Sequence, residues 1–173
     1  MGSEPDTLPV IEILPRGQAV KRLMSRTPGK EVGCLVSIGD PGQRHPVGFL
    51  RAEHRLRLLF HDVTEDSESY SAPTAEDVAR IIQFARGHLG TTRKVLVHCE
   101  AGISRSTASA TILYAVWLGP GREAEAVERV FQAVPEARPN ATLIRLADAQ
   151  LERGGALIDA VARRLAAAES LRP

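Results

Sequence analysis

The sequence predicts an α/β fold: a small, mostly parallel central sheet flanked by helices. Three observations carry this prediction. Short apolar runs of strand length alternate in mid-chain with stretches of helical period. Their order there is strand, helix, strand, and a parallel pair needs such a crossover. From about residue 106 onward the pattern is helical to the end.

Taken in order, residues 32–38 (VGCLVSI) form a continuous apolar run suited to a buried strand. Gly39-Asp40-Pro41-Gly42 closes it as a turn. Residues 39–48 hold three glycines and two prolines and are expected to be a surface loop. Residues 55–60 (RLRLLF) begin as an alternating strand, and residues 61–73 are polar loop. A helix is predicted over 75–89, with Val78, Ile81, Ile82 and Ala85 on one face. Thr74 and Asp77 form its capping box. Residues 95–98 are a short strand, followed by a loop of small residues and a helix over 106–118. That helix is apolar almost all round, which marks it as the buried central one. Further helices are expected at 123–134, 141–152 and 156–168. The 173 residues are expected to form one domain with its core in 32–150 and a flexible 1–7; residues 1–30 and the last 20 carry no motif.

Composition narrows the function. Hydrophobic residues make up 43% and charged residues 25%, ordinary values for a folded soluble chain. Lys+Arg is 22 against Asp+Glu 21, so no global basic field points to nucleic acid or an anionic membrane as partner. Two cysteines, Cys34 and Cys99, exclude a disulfide scaffold. The N-terminus lacks a secretory pattern, and Asp6 stands where a myristoylation signal wants Ser or Thr. Asn140-Ala141-Thr142 matches a glycosylation acceptor, but no leader directs the chain to that route, and a cytoplasmic location is expected. Nineteen arginines against three lysines, with abundant alanine, suit a GC-rich bacterial genome.

The chemistry lies in residues 98–107, HCEAGISRST. A cysteine ends a strand, and Arg105 follows at the mouth of a buried helix. Helix N-termini present unpaired N–H groups and partial positive charge, so they attract anions. A short loop running into such a terminus turns successive N–H groups inward as a nest for a tetrahedral oxyanion. Gly102 permits the turn where a side chain would obstruct it. The planar fork of Arg105 takes two phosphate oxygens at once. The same field favours the thiolate of Cys99, the nucleophilic form. Ser106 is placed to donate to that sulfur and ease its departure in a second step. His98 cannot reach round its own backbone to act as a base and is expected to brace the loop.

This pattern is the signature His-Cys-x-x-Gly-x-x-Arg-Ser/Thr, and the chain resembles the compact, dual-specificity members of the protein tyrosine phosphatase superfamily over residues 32–150. The resemblance implies a cysteinyl-phosphate mechanism that uses no cofactor and no metal, with the loop and Arg105 supplying the charge stabilisation. The amides of Glu100, Ala101, Gly102, Ile103, Ser104 and Arg105 are then the phosphate binders. Such chemistry also needs an acid for the leaving oxygen. The upstream carboxylates are Asp62, Glu65, Asp66, Glu68 and Asp77. Asp77 is engaged in its capping box. Asp62 follows directly on the strand RLRLLF, where the resembling family places its mobile acid; Asp66 is the second choice. The stretch Arg138-Pro139-Asn140 also matches the family, which implies that Asn140 supports the phosphate loop; simple capping of the 141–152 helix is compatible with that.

The expected substrate is a phosphorylated protein or a small aryl phosphate. The variable loop positions Glu100, Ala101, Ile103 and Ser104 contain no base, which disfavours a multiply phosphorylated lipid or sugar. Two alternatives remain at this point: a rhodanese-like sulfurtransferase, whose loop differs in length, and a catalytically silent phosphate-binding module. Cys34 is expected to be a small buried hydrophobe. A resolving partner for oxidised Cys99 is the sharper possibility for it, and requires neighbouring strands with the thiols at the same end.

Overall fold

The computed structural model describes residues 8–29, 31–89 and 94–170. Its elements are β1 (Val10–Pro15), α1 (Arg16–Met24), β2 (Cys34–Gly39), a 3₁₀ turn (Phe49–Arg51) and β3 (His54–Leu59). There follow α2 (Ala75–His88), β4 (Lys94–Cys99), α3 (Arg105–Leu118), α4 (Glu123–Ala133), α5 (Ala141–Gln150) and α6 (Ala156–Ser170). The strands form one sheet in the order β1-β4-β2-β3, with every pairing parallel. A wholly parallel sheet is covered on both faces, and the alternation of side chains shows how. Cys34, Val36 and Ile38 of β2, with Val95, Val97 and Cys99 of β4, face a core that α2 to α6 complete. Leu35 and Leu96 face the other way, against Ala19 and Leu23 of α1 and against Phe49 and Ala52.

The α2 capping box is realised as the sequence predicts. The Asp77 N–H donates to Thr74 Oγ1 at 3.2 Å, and the Thr74 N–H donates to Asp77 Oδ2 at 2.9 Å. Helix α3 is buried along its whole length except at Val116 and Leu118; its second half is apolar, and in its first half the buried Ser109 and Thr111 hydroxyls donate back to Arg105 O and Thr107 O. Fully burying each large aliphatic of this helix contributes about 1.5–3 kcal/mol.

Packing does not stop at residues 32–150. Ile11 and Ile13 of β1 and Leu157, Ala160 and Val161 of α6 belong to the same core. The alternation of β1, with Ile11 and Ile13 inward and Glu12 outward, is short and is cut off at once by Pro15. The helix that follows is charged and only nine residues long, so neither element stands out in the sequence. The expected flexibility of residues 1–7 lies outside the described residues.

All four strands point their C-termini to one edge of the sheet, where ligands of parallel sheets bind. β1, β4, β2 and β3 therefore deliver Arg16, Cys99, Asp40 and Asp62 to one neighbourhood. Gly102 is where β1 meets the loop after β4. Its φ is +75°, and a Cβ there would lie 2.7 Å from Pro15 N and 2.9 Å from the Leu14 carbonyl carbon. Left-handed strain and a backbone overlap act together at this position. Gly102→Ala is expected to cost about 3 kcal/mol, read as a lower urea midpoint with an unchanged slope.

Candidate active site

The loop of residues 99–105 runs from the last residue of β4 to the first of α3. Its carbonyl oxygens are engaged from outside. Glu100 O accepts from the Arg16 N–H at 3.1 Å, Ile103 O from the Arg138 N–H at 2.9 Å, and Ser104 O from the Asn140 N–H at 3.3 Å. The Thr107 hydroxyl donates to Ile103 O and Ser104 O. With these oxygens turned outward, the loop has the form of an anion nest. Cys99 lies within it, 2% exposed. Its Sγ accepts from the Gly102 N–H at 3.2 Å and lies 3.2 Å from Ser106 Oγ.

Arg105 is 5% exposed. Its Nη1 donates to Asp40 Oδ1 at 2.6 Å and to Phe60 O at 2.8 Å. Its Nε is buried and has no hydrogen-bond partner among the described residues. One side of the guanidinium is thus clamped, and a buried donor remains for a ligand. Asp40 is a site residue the sequence reading missed, because the run Gly39-Asp40-Pro41-Gly42 reads as a turn. It is one: the Gln43 N–H donates to Asp40 O at 2.9 Å. The side chain performs the second task. The signal that points to it is positional: Asp40 directly follows the C-terminal end of β2, as Asp62 follows that of β3 three residues on.

Asp62 and the loop after α4 meet at the 99–105 loop. Asp62 Oδ1 accepts from the Ser104 hydroxyl at 2.7 Å and from Asn140 Nδ2 at 3.0 Å. Asp66 accepts from the Ala72 N–H at 2.7 Å and so braces its own loop. Glu65 and Glu68 are exposed. Asn140 does several things at once. Its Oδ1 caps α5 through the N–H groups of Thr142 and Leu143, both at 3.1 Å. Its main-chain N–H reaches Ser104 O of the 99–105 loop, and its amide nitrogen reaches Asp62. Capping and loop support are therefore both present in the geometry.

His98 is fully buried on the opposite face from Cys99. Its Nδ1 lies 3.2 Å from Cys99 O, and its Nε2 lies 2.7 Å from Ser37 Oγ. A carbonyl only accepts, so the network assigns the proton to Nδ1. Nε2 then accepts from Ser37, whose oxygen takes a bond from Arg57 Nη1 at 2.8 Å. Burial above all pushes the His98 pKa down to about 4, and the positive charges of Arg57 and Arg16 act in the same direction. Arg57 is itself lowered, first by burial and then by Arg16 and Arg105. A neutral His98 is thus a fixed brace beneath Cys99.

The sign of its linkage follows. Between pH 6.5 and about 4 the unfolded chain protonates this group and the folded chain does not. Stability therefore falls with pH across that window, by about 3 kcal/mol for this group. Comparing chemical denaturation of wild type and His98→Gln over the same range should show this increment in the wild type alone.

The resolving-cysteine idea does not survive the register. Cys34 pairs with Val95, at the opposite end of β4 from Cys99. Four residues at about 3.3 Å each separate the two by about 13 Å along the strands, beyond the reach of a disulfide. Both thiols are buried, and neither is in a disulfide. Cys34 belongs to the apolar core.

The structure is similar to that of human DUSP28, with a TM-score of 0.64 at 20% identity, covering 89% of this chain and 98% of that one. It is also similar to DUSP15, with a TM-score of 0.61 at 19% identity, covering 98% and 99%. PTPMT1, solved in complex with PI(5)P, matches with a TM-score of 0.58 at 18% identity, covering 87% and 90%. No protein-family model matches the sequence, and no curated protein matches it. The four-stranded parallel sheet, the buried central helix and these likenesses together show that the chain has the compact dual-specificity fold of the protein tyrosine phosphatases.

Proposed function

We propose that this chain is a cysteine-dependent phosphomonoesterase that hydrolyses phosphotyrosine or other protein phosphomonoesters. The observation that carries the reading is the juxtaposition at the loop. The Cys99 sulfur lies within hydrogen-bond distance of the Gly102 amide and the Ser106 hydroxyl, beside a clamped Arg105 with a buried donor unpaired.

In the proposed mechanism the Cys99 thiolate attacks phosphorus in line, forming an S–P bond as the ester P–O bond breaks. Arg105 and the amides of Glu100 to Arg105 hold the three non-bridging oxygens, whose charge they are preorganised to stabilise. Asp62 delivers a proton to the leaving oxygen. Water then attacks the cysteinyl phosphate while Asp62 takes one of its protons, and the S–P bond breaks. The Ser106 hydroxyl stabilises the departing thiolate. His98 and Asn140 keep the loop in place.

A monoester on a protein or a simple aryl group suits this site better than a polyanionic lipid. The loop's own variable positions carry no base and one acid, Glu100. The test compares wild type and Cys99→Ser on an aryl phosphate and a phosphotyrosine peptide, with vanadate as inhibitor. Vanadate-sensitive hydrolysis that disappears in Cys99→Ser supports the reading. A wild type that binds phosphopeptide and releases no phosphate supports the silent-module alternative.

A further inference from the structure

We propose that Ser104 and Asn140 are positioning residues for Asp62, holding the acid in its working place before substrate arrives so that its loop needs no closing movement. The proposal deepens the phosphatase reading and rests on it. Its starting point is a direct bond between the two loops that the chemistry must bring together. The Ser104 hydroxyl belongs to the phosphate loop, Asp62 to the acid loop, and they are 2.7 Å apart.

The second donor, Asn140 Nδ2, lands on the same oxygen, Oδ1, at 3.0 Å. Its orientation is settled at the other end of the amide, where Oδ1 accepts the N–H groups of Thr142 and Leu143. The opposite assignment would set an NH₂ group against two N–H donors, so the nitrogen must face Asp62. Ser104 is equally fixed, because its carbonyl accepts from the N–H groups of Ala108 and Asn140.

The acid loop is tied at further points. Asn140 Nδ2 also donates to Val63 O at 3.1 Å, and Thr142 Oγ1 donates to Thr64 O at 2.7 Å. Across the loop the His61 N–H donates to Ser71 O at 2.8 Å, and the Ser71 N–H donates to His61 Nδ1 at 2.9 Å. The N-terminal end of α5 thus holds residues 62–64 against the phosphate loop.

The two donors also choose which oxygen acts. A neutral carboxyl has one carbonyl-type oxygen, which accepts, and one hydroxyl oxygen, which carries the proton. Two donors on Oδ1 make it the acceptor. Oδ2, with no hydrogen-bond partner among the described residues, is left as the proton-bearing oxygen. As the S–P bond forms and the ester P–O bond breaks, the proton passes from Oδ2 to the leaving oxygen. In the second step the same Oδ2 accepts a proton from the attacking water. Without Ser104 and Asn140 the carboxyl rotates about Cβ–Cγ, and the proton is shared between both oxygens and several directions.

A leaving-group series reads this directly. kcat/KM reports formation of the cysteinyl phosphate and is measured on aryl phosphates whose phenols rise in pKa. The enzymes are wild type, Ser104→Ala, Ser104→Thr and Asn140→Asp, with Asp62→Asn as reference. Asn140→Asp keeps the oxygen that caps α5 and removes the donor to Asp62. Wild type is expected to vary little along the series. Ser104→Ala and Asn140→Asp are each expected to lose about 10-fold more on the poorest leaving group than on the best. Ser104→Thr, which retains the hydroxyl, is expected to restore the wild-type dependence. Equal losses across the series in Ser104→Ala, or a dependence identical to wild type, would overturn this proposal alone. A wild type that hydrolyses no member of the series, or a Cys99→Ser that hydrolyses them normally, overturns the phosphatase reading itself.

Discussion

Cys99→Ser is expected to lower kcat on an aryl phosphate by on the order of 10⁵-fold while leaving phosphate-ester binding in place. A serine hydroxyl is not ionised near neutral pH, and nothing beside it would take its proton: the neighbouring Ser106 is a hydroxyl, and His98 faces the other side of the sheet. The donors proposed to hold the phosphate are elsewhere, on Arg105 and the loop backbone, so affinity for the ester should survive. Cys99 sits in the core at 2% exposure, and serine is close to it in size. Thermal denaturation should therefore show a folded variant, and steady-state hydrolysis with equilibrium binding of a phosphopeptide separates chemistry from recognition.

Arg105→Lys is expected to cost about 10³-fold in kcat/KM. In the proposed mechanism the guanidinium does two jobs with different atoms: Nη1 is anchored on Asp40 and Phe60 O, and Nε, buried and without a partner among the described residues, serves the ligand. A lysine ammonium is a point charge on a flexible stem. It can keep the ion pair with Asp40 or turn to the phosphate, and it offers no planar fork for either. The loss should fall on both kcat and KM, since in the proposed mechanism the guanidinium holds the oxygens of the bound ester and fits the equatorial oxygens of the transition state better still. A variant within about threefold of wild type would remove Arg105 from the site.

Much of this was legible in residues 32–150. The signature HCEAGISRST contains the proposed nucleophile, amide nest, arginine and thiolate-stabilising hydroxyl within one strand-loop-helix passage, so local chemistry suffices to nominate them. Asp62 required knowing that it follows a strand, and the alternation in RLRLLF supplied that. The rest depends on which strands are neighbours. Asp40 was hidden inside a turn signature. Ser37 and Arg57 lie in β2 and β3, and only the register across the sheet links them to His98. β1 and α1 were hidden because six strand residues ending in proline and nine helical ones, three of them charged, give a weak period. Yet it is their junction that packs on Gly102 and binds Glu100 O. The possible role of Cys34 turned on the same information, and a parallel register with Val95 removed it.

The central claim is a covalent intermediate on one sulfur. Wild type mixed rapidly with an aryl phosphate and quenched in acid within a single turnover should carry one phosphoryl group, and fragment mass analysis should place it on Cys99 as an acid-stable, iodine-labile thiophosphate ester. Asp62→Asn, slowed in hydrolysis of the intermediate, should accumulate it, and Cys99→Ser should carry none. Turnover with no phosphoryl group on Cys99 at any quench time, or with the group on another residue, would contradict the account.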